Sequence, residues 1–269
     1  MTQPGQTAAA SAPAPGLAPA DYYAGIESAT ATIGALIAGG AAAMPIPACP
    51  GWTLRELAVH VGRAHRWSAQ IAATRSPAFI PFRSVPDGRF PGAAAGRAQW
   101  LAAGARRAVA AFAEAGQDRV WWAFGPAAPA SCWARRMCHE TLVHAADASM
   151  AAGQEPVLPP ALAADAIDEW LTVIRPTLGG ADDGQGRPPG AVHVDAAGAG
   201  GWVIRREPGG LTVTRTARPA GAGPADAVLA GPAGALLLVL MGRVPAGDPA
   251  VAVSGDAAVL DRWLAAARF

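Results

Sequence analysis

The amino-acid sequence predicts an α+β protein in which an N-terminal helical bundle is followed by a small mixed α/β domain. With 269 residues, the chain is long for one compact domain and comfortable for two. Apolar residues recur at helical intervals in the first part of the chain. Short alternating stretches separated by glycine-rich turns follow in the second part, which is typical of an antiparallel sheet.

Composition and charge exclude several classes of partner. The formal net charge of +1, from 21 basic and 20 acidic residues without charge blocks, gives no footprint for nucleic acid or an anionic membrane. The densest apolar run, 234–242, is far short of the ~20 residues that cross a bilayer. The first residues lack the cationic opening of a secretory signal, so we expect a cytoplasmic protein. We also expect the protein to be a monomer or a homodimer. Three cysteines without a CxxC pair indicate neither a disulfide framework nor a cysteine zinc site.

Changes in composition divide the chain into four parts. Residues 1–20 are rich in alanine and proline and are predicted to form a disordered tail. Residues 21–178 carry the helical patterns of the first domain. The glycine-rich segment 179–190 is a linker by composition. Residues 191–269 form the second domain.

The first two helices follow from periodicity and caps. Residues 21–43 carry apolar side chains at helical intervals, with Asp21 as the expected N-cap. After a proline-rich segment, Thr53 to Glu56 forms a capping box that begins helix two. His60 lies two turns in and borders the apolar stripe, so its ring should face the bundle interior. His65 lies about 140° further around the helix and is predicted at the surface or rim.

The rest of the first domain alternates loops and helices. A loop rich in proline and glycine, 76–92, precedes a third helix over about 93–115. The stretch 119–131 is a strand-like or irregular approach, and Ser131 is the expected N-cap of a fourth helix. A fifth helix, over about 160–178, is predicted to close this domain.

The second domain is predicted from short strands. The stretches AVHVDA, GWVIRRE and LTVTRTA alternate apolar and polar residues, which indicates an antiparallel meander. A strand at 227–229 leads into an apolar helix over 233–243. A strand at 251–253 precedes a final helix that Asp256 caps.

The fourth predicted helix contains a candidate pair of metal ligands. Glu140 and His144 are four residues apart, so at ~100° per residue their side chains project from one face of the helix. His60 is the best candidate for a third ligand, because helical bundles build metal sites from facing helices. Two histidines and one carboxylate leave a fourth position open, as in catalytic zinc sites. The alternative is a solvated pair, but the neighbours are apolar and an uncompensated buried carboxylate would be costly.

Three motifs give the sequence a resemblance to a known family. CPGWTLRELAVHVG, WARRMCHETLVHAADA, and LLLVLMGR followed by VAVSGDAAVLDRWL resemble, in that order, the mycothiol-dependent maleylpyruvate isomerase family. The resemblance extends from about residue 21 onward. It implies a DinB-like four-helix bundle that carries a divalent metal, and a C-terminal domain similar to sterol-carrier folds. The family's metal ligands fall on His60, Glu140 and His144.

Further residues have candidate roles, and the resemblance assigns those of Arg243, Trp52 and Arg135. Arg243, after the leucine-rich helix, corresponds to an arginine implied to bind an anionic substrate, although a helix C-terminal cation that offsets the dipole is an equal alternative. Asp147 is either an outer partner of an imidazole N–H or a solvated helix residue. Trp52 and Arg135 match the pattern as a structural staple and as a helix-surface or substrate-facing cation. His139 points about 100° from Glu140 and is left out of the ligand set.

The resemblance implies that the enzyme uses mycothiol as its thiol cosubstrate. A zinc site with an open position stabilises a thiolate near neutral pH. The thiolate would add to a cis-enedioyl small molecule, which then isomerises in the manner of maleylpyruvate or is released as an S-transfer product. The donors also suit another divalent metal such as nickel or copper. The open alternatives are a biosynthetic or hydrolytic metalloenzyme that uses bound water, and a non-catalytic small-molecule-binding protein on the same scaffold.

Overall fold

A computed structural model describes residues 17–178, 190–207, 210–217 and 224–267, which form two compact units that meet in sequence between Leu158 and Pro159. The predicted α+β class is confirmed, because helices form the first unit and the second contains a mixed sheet. Most of the predicted tail 1–20 and of the linker 179–190 lies outside the described residues. No helix in the described part of the chain is both long enough and apolar enough to cross a membrane.

The first unit is built from four long helices within its described residues. They are α1 (Pro19–Ala38), α2 (Leu54–Ala73), α3 (Arg97–Ala115) and α4 (Ala130–Ala151). Two short antiparallel strands, β1 (Arg119–Val120) and β2 (Ala128–Pro129), precede α4. The helices pack on one another through apolar side chains that are at most 2% exposed, among them Ile26, Leu57, Phe112 and Trp133.

The helix starts show which predicted caps hold. The capping box at α2 is confirmed: the Glu56 carboxylate accepts a hydrogen bond from the Thr53 backbone N–H at 3.0 Å. The predicted N-cap Asp21 is wrong, because α1 begins at Pro19 and Asp21 lies in its first turn, where its carboxylate accepts the Ala18 N–H at 2.7 Å. The predicted N-cap Ser131 is wrong, because α4 begins one residue earlier at Ala130.

The reason is that loop carbonyls already satisfy the first amides of α4. The Ala130 N–H donates to the Asp118 carbonyl at 2.9 Å, and the Ser131 N–H donates to the Gly116 carbonyl at 3.0 Å. A side-chain cap is therefore not needed at this helix start.

His65 is buried, so its predicted place at the surface or rim is wrong. Its ring is 0% exposed, and its Nε2 lies 2.8 Å from Oγ1 of Thr141, because α4 covers this face of α2. The Thr141 hydroxyl donates to the Met137 carbonyl, so it accepts from His65 and the imidazole carries its proton on Nε2. Burial and then repulsion from Arg66 lower the pKa of His65 to about 3.

Helices α2 and α3 approach closely because glycine lies at their contact. A Cβ added at Gly62 would lie 2.0 Å from a ring atom of Trp100. Arg66 sits over the same ring, 3.9 Å from its centroid, and donates to the backbone carbonyls of Gly62 and Trp100. This contact fixes the position of α2, the helix that carries His60.

The second unit combines a five-stranded sheet with helices within its described residues. Its helical elements are α5 (Pro160–Glu169), a π-helical turn (Trp170–Ile174), α6 (Arg175–Leu178), α7 (Ala233–Leu240) and α8 (Ala257–Ala267). Its strands are β3 (Gly190–Ala196), β4 (Gly200–Glu207), β5 (Gly210–Thr216), β6 (Ala227–Gly231) and β7 (Ala252–Gly255). The sheet order is β5-β4-β3-β6-β7.

The predicted meander is confirmed, because β3 pairs antiparallel with β4 and β4 pairs antiparallel with β5. Strand β6 then runs parallel to β3 and antiparallel to β7. The helix predicted over 160–178 was assigned to the bundle, but the structure places it in the second unit. Its Asp168 carboxylate accepts a hydrogen bond from Trp202 of β4 at 3.1 Å, and α5 packs on α7.

Candidate metal centre

The antiparallel packing of α2 and α4 brings the three predicted ligands together. His60 of α2 meets Glu140 of α4, and two turns further along α2 the ring of Trp67 meets that of Trp133, 5.2 Å away. Residue numbers therefore rise along one helix as they fall along the other. The side chains of facing turns point into the same space.

One carboxylate oxygen lies between the two imidazoles. Glu140 Oε1 is 3.0 Å from Nε2 of His60 and 3.3 Å from Nε2 of His144. The candidate ligand atoms of all three residues lie within 4.8 Å of one another. The predicted i,i+4 pair thus shares one face of α4, and His60 joins it from across the helix interface.

The buried side of the centre is completed by Asp147. Its Oδ2 lies 3.0 Å from Nδ1 of His144, and its side chain is 0% exposed. The thiol of Cys49 lies 3.7 Å from the same oxygen. With Nδ1–H held by Asp147, the Nε2 atom of His144 faces Glu140. Asp147 is therefore not a solvated helix residue, and its contact with Nδ1 is the one expected of an outer partner if His144 binds a metal.

Charges around Glu140 keep it ionised. Burial would raise its pKa, but hydrogen bonds from His144 and His60 and the charge of Arg136 together hold the pKa of Glu140 well below its usual range. Arg136 donates to Oε2 at 2.9 Å, so the second carboxylate oxygen is bound while Oε1 faces the imidazoles. Glu140 is thus prepared as an anionic ligand at neutral pH.

The surroundings of His144 shift its pKa in the opposite direction to that of Glu140. Burial would lower its pKa, but its contacts with Asp147, Cys49 and Glu140 raise the pKa of His144 well above its usual value. Two carboxylates thus favour one positive charge at this position. A divalent cation on the same donors would replace that proton, and this exchange makes the donor set suitable for a metal ion.

Trp52 covers one side of the centre. Its ring centroid lies 5.1 Å from that of His60 and 6.2 Å from that of His144, and its plane is inclined by 30° to the ring of His144. The His60 side chain is 38% exposed, whereas that of His144 is 10% exposed. A small molecule would therefore reach the centre from the side of His60.

The structure also describes the surroundings of the remaining predicted residues. Arg243 follows α7 in the second unit, where its NH1 donates to the Met241 carbonyl at 2.8 Å. Its assignment to the substrate stays a prediction. Arg135 is buried, so its description as a surface cation is wrong. His139 is buried on another side of α4, with its ring against Tyr22.

Sequence reasoning missed two contributors. Arg136 lies four residues before Glu140, so helical spacing could have found this ion pair on the same face. Cys49 gave no such signal, because it precedes α2 and reaches Asp147 only through the tertiary fold.

Comparisons with known proteins agree along most of the chain. The family model of the mycothiol maleylpyruvate isomerase N-terminal domain matches residues 23–149, and the MDMPI C-terminal domain model matches residues 161–262. No curated protein sequence matches the chain.

Two solved structures share the fold. A histidine-to-alanine mutant of the mycothiol-dependent maleylpyruvate isomerase has a TM-score of 0.56 at 16% identity. A crystal structure of the mycothiol-dependent maleylpyruvate isomerase has a TM-score of 0.52 at 18% identity. Each alignment covers 88% of this chain and 93% of the other chain. At such identities the likeness concerns the fold alone.

Proposed function

This chain belongs to the mycothiol-dependent maleylpyruvate isomerase family, and from that premise we propose that it is a metal-dependent enzyme that activates mycothiol. Its second substrate would be an electrophilic small molecule with a cis double bond conjugated to carbonyl groups. The product is the trans isomer, as for maleylpyruvate, or a thioether if the thiol is transferred. A cytoplasmic location and a monomeric or homodimeric state remain predictions from the sequence.

The observation that carries this proposal is the convergence of His60, Glu140 and His144. Two imidazole nitrogens lie 3.0 Å and 3.3 Å from one carboxylate oxygen, although the residues come from helices far apart in sequence. We propose that these side chains hold zinc or another divalent ion. The bound ion would supply the positive charge that keeps a thiol deprotonated near neutral pH.

The surrounding residues prepare the ligands. Asp147 holds the Nδ1 proton of His144 and thereby leaves Nε2 available. Arg136 binds Oε2 of Glu140 and limits the rotation of the carboxylate. Trp52 shields the imidazoles on one side, so a thiol would enter at the more exposed His60. These contacts preorganise the centre before either substrate binds.

The isomerisation follows from reversible addition. The thiolate sulfur forms a bond to one alkene carbon, and the electron pair of the double bond moves to the conjugated carbonyl oxygen. The former double bond is now single and rotates. Return of the electron pair expels the thiolate and leaves the trans alkene, so the thiol is regenerated. We retain Arg243 as the predicted cation for the charge of the substrate.

Metal analysis and activity measurements test this proposal. We expect about one metal ion per wild-type chain, as at other sites of this type. His60→Ala should lose most of it because one of three ligands is removed. Arg55→Ala is the matched control, since Arg55 is exposed on the same helix. Equal metal contents in wild type and His60→Ala would overturn the ligand assignment.

Turnover of maleylpyruvate should require added mycothiol and should fall in parallel with the metal content. Turnover without any thiol would indicate a metalloenzyme that uses bound water. A metal-loaded protein that shows no turnover with either would indicate a binding protein on this scaffold.

A further inference from the structure

A second concave site lies in the first unit, between α2 and the loop 76–92. Its volume is about 460 Å³, within the range of small-molecule pockets. Three arginines and two aromatic rings contribute to its lining: Arg63, Arg83, Arg89, Trp67 and Phe82. Neither the sequence motifs nor the metal centre assigns a role to this pocket.

Side chains of α2 and α3 hold the loop in position through hydrogen bonds to its backbone carbonyls. Trp67 donates its Nε1–H to the Ile80 carbonyl at 2.7 Å, and Arg63 donates its Nε–H to the Gly88 carbonyl at 3.0 Å. Trp100 of α3 donates to the Asp87 carbonyl at 2.9 Å. Because three side-chain hydrogen bonds fix points along the loop, the pocket is formed before a ligand arrives.

The charge of the pocket is uncompensated. Arg83 and Arg89 form no hydrogen bond or ion pair with any described residue, and Arg63 uses only its Nε for the loop. The nearby carboxylate of Asp87 lies 3.6 Å from Arg107 and does not line the pocket. Three guanidinium groups around one concavity attract an anion, and their planar donors match a carboxylate.

The aromatic side of the pocket is also unusual. Phe82 is 61% exposed and Phe79 is 49% exposed, although large apolar side chains gain by burial. The ring centroid of Phe82 lies 4.8 Å from that of the buried Trp67, and the ring centroid of Phe79 lies 5.8 Å from that of Phe82. Phe82 and Trp67 line the pocket, so they offer apolar ring surface beside the cationic groups.

We propose that this pocket binds a small molecule that carries a carboxylate on a planar aromatic or conjugated body. The guanidinium groups bind the carboxylate, and Trp67 and Phe82 contact the flat body. A ligand with only one of these two features would satisfy only half of the site.

Calorimetric titration with naphthoate tests the proposal, because this probe joins one carboxylate to a planar ring system. We expect saturable binding to wild type. Arg83→Gln and Arg89→Gln should each weaken it about threefold, and the double variant about tenfold, as for partly solvated charge contacts. Arg106→Gln is the matched control, since Arg106 is exposed on α3 outside the pocket, and it should bind like wild type.

Two further ligands and one further variant separate the two features. Naphthamide, which lacks the charge, and inorganic phosphate, which lacks the ring, should both bind more weakly than naphthoate. Phe82→Ala should weaken the binding of naphthoate and leave the binding of phosphate unchanged. Because Phe82 is 61% exposed, its removal should not unfold the protein. No binding of naphthoate, equal binding of naphthamide or phosphate, or equal losses in Arg106→Gln and the double variant would each overturn the proposal.

Discussion

Replacement of Asp147 by asparagine should weaken the metal centre without removing a ligand. Oδ2 of Asp147 is buried and accepts the Nδ1–H of His144 at 3.0 Å, so the substitution removes a negative charge from a charge-assisted hydrogen bond. Such bonds contribute about 1.5–3 kcal/mol. At ~1.4 kcal/mol per factor of ten, the dissociation constant for zinc should rise about tenfold to a hundredfold, as for outer partners of other metal-bound histidines.

Competition with a chromophoric chelator measures that affinity. Asp118→Asn is the matched control, because Asp118 is half-exposed and pairs with Arg75 away from the centre. The control should keep wild-type affinity. If Asp147→Asn also bound zinc as tightly as wild type at equal stability, the orienting role of Asp147 would be refuted.

Three other predictions concern the stability of the bundle and substrate binding. Gly62→Ala should lower the free energy of unfolding, measured in urea, by about 1–3 kcal/mol, because the added Cβ would lie 2.0 Å from the Trp100 ring. Gly34→Ala is the control and should not lower it, since the nearest atom to its Cβ would be 3.8 Å away. The pKa of His65 is about 3 in the folded protein, whereas its ordinary value is 6.5. Between these two pH values the unfolded chain therefore binds one more proton than the folded chain. The free energy of unfolding should therefore fall as the pH drops from 6.5 towards 3. His65→Gln should make this dependence on pH less steep, and an unchanged dependence would contradict the burial of a neutral His65. Arg243→Gln should raise KM for an anionic substrate more than Arg243→Lys, and steady-state kinetics with equal KM values for the two variants and wild type would contradict the predicted role.

Local patterns predicted the elements that local interactions determine. The capping box at Thr53 satisfies amides within four residues of chain, so its sequence is sufficient to locate the start of α2. The spacing of Glu140 and His144 is likewise fixed by the helix that carries them. The meander of β3, β4 and β5 followed from alternation and short turns.

The errors came from long-range packing. The periodicity of α2 located His65 on the helix but did not show that α4 also covers that face. The helix over 160–178 has the apolar pattern of a bundle helix, yet its partners are α7 and Trp202 of the second unit. Ser131 has the right chemistry for a cap, but carbonyls of Gly116 and Asp118 meet the same amides.

The sequence by itself determined the order of helices and strands, the α+β class and the shared face of Glu140 and His144 on α4, because each depends on residues close together in the chain. Only the tertiary structure decided that His60 meets Glu140, that Cys49 reaches Asp147, and that loop 76–92 surrounds a cationic pocket. Those contacts link segments tens of residues apart. Their geometry is set by how helices pack, and no local pattern encodes it.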